Sequence, residues 1–298
     1  MSPPRVVVVV KRTHYTRYVE EERDPEVIRL IKRRDPSVAT WVASHKEHVA
    51  TLEEVQRALK VLGARTWILH GPHAVFDASD AALVVTIGGD GTLLAASHHV
   101  GKTPILGVNS SPLSSVGFFC AARRKNVHAM LARALAGTVG GVRLSRMQVA
   151  INGRVLSRRV LNEALFCHET PAAASRYLLH YGRRTEEQVS SGFWIGTAAG
   201  STGALRSAGG RVLPLASKAL ELVVREPFAG GGKRYRMTKL VMAPAKELTV
   251  TSKMHDARLF LDGPFKHTSI RLGDRLSFGV SDEPIAVLGL TAGQGRRK

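Results

Sequence analysis

The chain has 298 residues, 44% of them hydrophobic, and carries 43 Lys and Arg against 24 Asp and Glu, a formal charge of +19. That length allows two domains with sizeable cores, and the apolar share excludes wholesale disorder. Two cysteines, Cys120 and Cys167, exclude a disulfide framework, and the longest aliphatic run, Val6 to Val10, is too short to cross a bilayer.

No apolar segment with a cleavage site opens the sequence, so a soluble cytoplasmic protein with no membrane partner is expected. The positive charge favours polyanions. Arginine is densest at Arg143, Arg146, Arg154, Arg158 and Arg159, but aromatic and basic residues do not alternate as in a base-stacking platform. With no zinc-finger or RRM pattern either, the expected partners are anionic small molecules rather than nucleic acid.

Arg5 to Val10 reads as a buried parallel strand. Val49, Leu52, Val55, Leu59 and Leu62 form a helical stripe between His45 and Gly63, where glycine can end the helix. Strands are expected at Thr66 to Leu69 and Ala82 to Ile87, then a helix from Thr92 to His99 and a strand from Pro104 to Val108. Val127, Met130, Leu131, Ala134 and Leu135 mark a further helix stopped by Gly137. Strands alternating with helices imply an open, mostly parallel α/β sheet, whose ligands bind beyond the carboxyl ends of the strands.

After Gly140-Gly141 the rhythm changes. Val142 to Ile151 and Arg154 to Phe166 flank Asn152-Gly153, a strong hairpin signal. Strand-like pieces recur up to Ser269 to Leu272. The expected organisation is an α/β domain over residues 1–140, joined by a C-terminal segment 276–298, and a β-rich domain over 141–275. Ile285 to Leu290 is read as a terminal strand returning to the first domain. Trp41, Trp67 and Trp194 are expected as core anchors. The pairs His98-His99 and His45/His48 are read as surface or packing residues rather than metal ligands.

Three segments carry chemistry. The strand ending at Ile87 runs into Gly88-Gly89-Asp90-Gly91-Thr92. Glycines let successive N–H groups converge on an anion, and a following helix adds the positive end of its dipole. A plain turn seldom needs three glycines. A carboxylate in such a cradle would repel phosphate unless it holds a metal or takes a proton from a nucleophile, so the loop reads as a phosphoryl-transfer site. The second segment is Gly196-Thr197-Ala198-Ala199-Gly200-Ser201-Thr202-Gly203, continuing to Ser207-Ala208-Gly209-Gly210, where small residues and hydroxyls admit a close ligand. The third is Asn162-Glu163 inside an apolar strand, a pair costly to bury unsatisfied and suited to ribose hydroxyls.

Together these segments, with Gly107-Val108-Asn109-Ser110, resemble the NAD kinase family in order and rough spacing over nearly the whole chain. The resemblance implies an α/β domain plus a β-rich domain and ATP-dependent phosphorylation of the adenosine ribose 2′-hydroxyl of NAD(H). It also implies a divalent cation, Mg²⁺, riding on ATP, and a homo-oligomer, dimer or tetramer. Asp90 would orient and deprotonate the hydroxyl, and Gly88, Gly89, Gly91 and Thr92 would line the phosphates. Asn162, Glu163, Ser191, Thr202 and Ser207 would hold the dinucleotide, with Asp262 in a late acidic turn as a weaker carry-over. No residue is implied as a direct metal ligand.

Two departures stand out. Many family members carry an acidic residue where this chain has Ser191, before Gly192, and an aromatic where it has Ala204. With Val224-Arg225-Glu226-Pro227, the pattern looks like the NADH kinase branch known from plants. A carboxylate ~4 Å from oxidised nicotinamide attracts it by about 4 kcal/mol at an effective dielectric of ~20, before desolvation is counted, and serine removes most of that advantage. NADH should therefore serve at least as well as NAD⁺. The rival readings are a lipid kinase of the diacylglycerol or sphingosine type, which shares Gly-Gly-Asp-Gly-Thr, and a catalytically silent nucleotide-binding protein.

Overall fold

A computed structural model describes residues 2–71, 74–232 and 234–293. One compact unit comprises Met1–Val142 with Ile285–Thr291, and the other begins at Arg143 and runs to Pro284. No helix among the described residues is long and apolar enough to cross a membrane.

The first unit contains β1 (Arg5–Val10), α1 (Pro25–Lys32), α2 (Trp41–Val61), β2 (Arg65–His70), β3 (Leu83–Gly88), α3 (Asp90–Ser97), β4 (Ile105–Asn109), β5 (Cys120–Arg123), α4 (Val127–Leu135) and β6 (Gly141–Leu144). Its sheet runs β2-β1-β3-β4, then the late strand Ile285–Leu288, then β6, with β5 beside β4. The pairings of β1 through β5 are parallel, with Val10 opposite Ile87 and Gly88 opposite Asn109. The carboxyl ends of β1, β3 and β4 therefore lie side by side, and the glycine-flanked Asp90 leaves from the middle one. A continuous apolar run suits such a strand, since both its faces are covered, and all six residues of β3 are buried.

The helix expected at 45–63 spans Trp41–Val61, with Gly63 in the left-handed region at φ +67 as the stop. The helix expected from Thr92 begins two residues earlier, at Asp90. Trp67 departs from the expectation of a core anchor: it is 40% exposed, on the edge strand β2, under the Arg5 guanidinium. An edge strand has one flank without a neighbour, which leaves the ring partly wet.

The second unit contains β7 (Met147–Ile151), β8 (Arg154–Val160), β9 (Glu163–His168), β10 (Ser175–Tyr181), β11 (Arg184–Ser190), β12 (Phe193–Gly196), α5 (Ala204–Ser207), β13 (Leu220–Val224), β14 (Lys239–Met242), β15 (Leu248–Ser252), β16 (Ala257–Leu261), β17 (Lys266–Ile270) and β18 (Arg275–Val280). Two six-stranded sheets, β11-β10-β15-β18-β7-β8 and β14-β13-β12-β9-β16-β17, share one core that includes Phe166, Tyr177, Phe193 and Phe278. Alternating inward side chains from both sheets make this a sandwich. β18 pairs with β7 and β15 in the second unit, so that unit extends past the expected boundary at 275.

Two expected long strands are broken. The run 142–151 divides into β6 and β7 around Arg146, which is fully buried and donates from Nε to the Glu283 carbonyl. The run 154–166 divides at Leu161-Asn162, and β8 and β9 then belong to different sheets. That second break shapes the site.

Candidate active site

In the first unit, β3 ends at Gly88 and α3 starts at Asp90. A side chain at Gly88 would meet Thr92 Oγ1 at 2.2 Å, and one at Gly89 would meet Ser115 Oγ at 2.2 Å. These two glycines are thus dictated by packing inside the unit. Gly91 has nothing within 4 Å of where its Cβ would sit and is exposed. Thr92 is buried, its side chain packed against Gly88.

Asp90 is partly exposed, and each carboxylate oxygen accepts one backbone N–H: Oδ2 from Phe118 at 2.9 Å and Oδ1 from Phe119 at 2.8 Å. A carboxylate has about four lone-pair sites, so each oxygen keeps one for a hydroxyl. Thr92 N and Leu93 N donate to the Gly89 carbonyl at 3.1 and 3.4 Å, which leaves the Asp90 and Gly91 N–H groups at the helix start as the donor surface for an anion. Asp90 also helps raise the neighbouring Cys120 thiol to about 12, burial being the larger cause.

Asn109 fixes the facing loop. Its Nδ2 donates to the Ser115 carbonyl at 3.1 Å, its Oδ1 accepts from Ser111 N at 3.1 Å, and Gly117, at φ +65, packs against the side chain. Ser110 N donates to the Gly88 carbonyl at 3.0 Å. The two amides that hold Asp90 were not anticipated from the sequence. The available signal was Gly117 before two bulky residues, a turn that presents consecutive N–H groups.

In the second unit, the break after β8 is held by Asp262. Its carboxylate accepts the N–H groups of Leu161 (2.8 Å), Asn162 (2.7 Å) and Glu163 (3.2 Å). Asp262 sits at φ +51, and its own N–H returns to the Glu163 carbonyl at 2.9 Å. Asn162 Oδ1 is buried with no hydrogen-bond partner among the described residues. Burial, and secondly the Asp262 charge, push the Glu163 carboxyl up to about 7.

The second glycine-rich segment closes on this pair. A Cβ at Gly196 would lie 2.5 Å from the Asn162 carbonyl oxygen and 2.9 Å from Glu163 Cβ, and one at Gly200 would lie 2.4 Å from that same oxygen. Thr197 N donates to the Asn162 carbonyl at 2.9 Å. Ser201 is fully buried, bonded to Ala198 and Leu213. Thr202 is half-buried in the short turn that follows, and Ser207 is exposed at the end of α5, donating to the Gly203 carbonyl at 3.3 Å. The structure therefore brings Asn162, Glu163, Asp262 and the Gly196–Thr202 stretch together, while Ser207 lies at the outer end of that segment.

Ser191 is half-buried beside Gly192, whose φ of +94 and close approach to the Phe166 carbonyl admit no side chain. Arg225 accompanies it: Ser191 N donates to the Arg225 carbonyl at 3.0 Å, and Arg225 Nη1 donates to the Ser191 carbonyl at 3.3 Å. The guanidinium also lies 5.9 Å from the Trp194 ring centroid. Arg225 Nε also lies 3.9 Å from Glu226 Oε2, so the guanidinium is shared between the Ser191 carbonyl and that carboxylate. Among the described residues no three or more His, Cys, Asp or Glu side chains cluster to hold a metal ion.

The profile of the ATP-NAD kinase N-terminal domain matches residues 6–139. A probable NADH kinase of Oryza sativa subsp. japonica is 34% identical over 228 residues, covering 69% of this chain and 70% of that protein. An NADH kinase of Arabidopsis thaliana is 35% identical over 237 residues, covering 72% and 74%. Among solved structures, a yeast NADH kinase complexed with NADH superposes with a TM-score of 0.73 at 14% identity, covering 100% of this chain and 86% of that one. An NAD kinase from Archaeoglobus fulgidus in complex with ATP gives 0.66 at 20% identity, covering 98% and 96%. These two likenesses bear on the fold: an α/β unit with a parallel sheet and a unit of antiparallel strands.

Proposed function

This chain belongs to the NAD kinase family, and we propose that it uses ATP to phosphorylate the adenosine ribose 2′-hydroxyl of NADH, yielding NADPH and ADP. The observation that carries the reading is Asp90 at the start of α3, held by two amides with lone pairs to spare. Its carboxylate accepts the 2′-hydroxyl proton as the oxygen attacks the γ-phosphorus, and the bond from that phosphorus to the β–γ bridging oxygen breaks. Gly88, Gly89, Gly91 and the first amides of α3 neutralise the phosphates. Such a reaction rests on positioning and charge stabilisation more than on covalent chemistry.

The dinucleotide is held by the second unit. Glu163 accepts ribose hydroxyls, and the unpaired Asn162 Oδ1 accepts a donor from the adenosine. Asp262 contributes by fixing the backbone of that pair rather than by touching substrate. Thr202 and Ser207 line the groove beyond it. Ser191, where a carboxylate would attract the cationic oxidised ring, favours the neutral reduced one by removing that attraction.

Mg²⁺ enters as the MgATP complex, the triphosphate supplying the hard oxygen ligands that such an ion prefers. The working form is a cytoplasmic homo-oligomer, dimer or tetramer, as the family implies. Initial rates with NADH and NAD⁺, each with MgATP, test the reading. NADPH formation at an efficiency no lower than NADP⁺ formation supports it, and phosphorylation of diacylglycerol or sphingosine alone refutes it.

A further inference from the structure

Tyr177 on β10 is fully buried, its ring edge-on to Phe166 with centroids 5.5 Å apart, and 5.2 Å from the Phe193 centroid. Phenylalanine would fill that slot equally well. A buried hydroxyl costs free energy unless it is hydrogen-bonded, so its partners show what it is there to hold. Both partners it has among the described residues lie in one turn: Ser190 Oγ at 2.8 Å and the Gly192 carbonyl at 3.4 Å.

Ser190, the last residue of β11, is itself buried. Its Oγ accepts the Gly192 N–H at 3.0 Å and donates to the Gly192 carbonyl at 3.2 Å, so one hydroxyl spans the turn around Ser191. A serine hydroxyl has one proton to give and two lone pairs. With its proton on the Gly192 carbonyl, it takes a second hydrogen bond from Tyr177, and every site on the oxygen is used. Burial raises the Tyr177 pKa, which keeps the phenol a donor at neutral pH. From the other side, Arg225 N donates to the Gly192 carbonyl at 2.8 Å, and Ser191 N to the Arg225 carbonyl at 3.0 Å. Ser191 is thus fixed between a pair of buried hydroxyls and the Arg225 backbone.

We infer that Tyr177 and Ser190 are positioning residues for the nicotinamide end of the dinucleotide, their hydroxyl pair holding the Ser191-Gly192 turn in the attitude that ring requires. The inference rests on the NADH phosphorylation reading and names the residues that set one end of its site. Neither side chain touches substrate; each acts through the turn. The adenosine end is held independently, because the bonds that fix Asn162-Glu163 come from Asp262 and Thr197 and involve no atom of the turn. Loosening the turn should therefore cost binding only to ligands that carry a nicotinamide.

Two variants test this, Tyr177→Phe, which keeps the ring, and Ser190→Ala, which removes the oxygen that spans the turn. Titration calorimetry with NADH and with ADP-ribose, which shares the adenosine and diphosphate but lacks the nicotinamide, measures binding, and initial rates give KM for ATP. Ser190→Ala leaves the Gly192 N–H without its acceptor and should weaken NADH binding at least about tenfold, Tyr177→Phe at least about threefold. ADP-ribose binding and KM for ATP should stay within about twofold of the parent in both. Equal losses of NADH and ADP-ribose would make the hydroxyls structural alone and overturn the inference, as would NADH binding that neither variant changes. A parent protein that binds neither ligand would overturn instead the phosphorylation reading beneath it.

Discussion

Gly200 stands so close to Asn162 that a Cβ on it would lie 2.4 Å from the Asn162 carbonyl oxygen. The obstacle is backbone, flanked by the Thr197 hydrogen bond to the same oxygen and by the Asp262 clamp on the Asn162 N–H. Neither partner can retreat without moving the Asn162-Glu163 pair. Gly200→Ala should therefore destabilise the second unit by about 1–3 kcal/mol and raise KM for NADH. Thermal unfolding and initial rates would show both effects, and a normal KM in the variant would separate this glycine from the pair.

Gly91 offers the opposite case. Its Cβ would meet nothing within 4 Å, and it lies in the first turn of α3. Alanine there should leave stability unchanged or raise it by up to about 1 kcal/mol, since glycine loses more backbone entropy in a helix. It should nevertheless raise KM for ATP at least about tenfold, because the open space is where a phosphate oxygen would approach. An unchanged Tm with an unchanged KM would remove Gly91 from the phosphate cradle.

The candidate site is partly legible in the sequence because its signals are local. Three glycines around one acid announce a cradle, and Asn-Glu inside an apolar strand announces a costly pair. What stayed hidden depends on partners far along the chain. Phe118 and Phe119 hold Asp90 through backbone amides, which carry no side-chain signature. Asp262 clamps three amides about a hundred residues away, and that clamp divides what reads as one strand, 154–166, into β8 and β9. The charge was similarly opaque. Arg146 is buried against Glu283, Arg159 pairs with Glu283, and Arg158 pairs with Asp282. Part of the arginine-rich stretch is thus committed within the fold rather than offered to anionic ligands.

The Glu163 carboxyl, raised to about 7 mainly by burial, ties both stability and binding to pH. Its ordinary value is 4.5. Between those values the folded chain holds a proton that the unfolded chain has released, so this group stabilises the fold most below pH 4.5. Its contribution is lost as pH rises through 7. Substrate binding moves the other way, since only the carboxylate accepts from both ribose hydroxyls. KM for NADH should fall as pH rises from 6 toward 8, and Glu163→Gln should flatten that dependence. A wild-type KM flat across this range would count against Glu163 as the ribose acceptor.

Ser191 and Arg225 make the choice of redox state testable. Ser191→Asp places a carboxylate beside the Arg225 guanidinium, which already reaches the Ser191 carbonyl. With Glu226 already 3.9 Å from Arg225 Nε, the added carboxylate leaves a net negative charge that attracts the oxidised ring. The ratio of kcat/KM for NAD⁺ to that for NADH should rise at least about tenfold, an opposite charge at close range being worth more than the ~1.4 kcal/mol this requires. A ratio unmoved by the substitution would place the nicotinamide elsewhere.

Asp90 carries the account, and the most direct test follows the phosphate. NADH and MgATP incubated with the protein should yield NADPH, its new phosphate located on the adenosine 2′-oxygen by ³¹P–¹H NMR. In Asp90→Asn the same reaction should slow at least about a hundredfold, the usual contribution of a positioned general base, while calorimetry still finds NADH bound. A product phosphorylated at another position, or an Asp90→Asn protein turning over at the parental rate, would contradict the account.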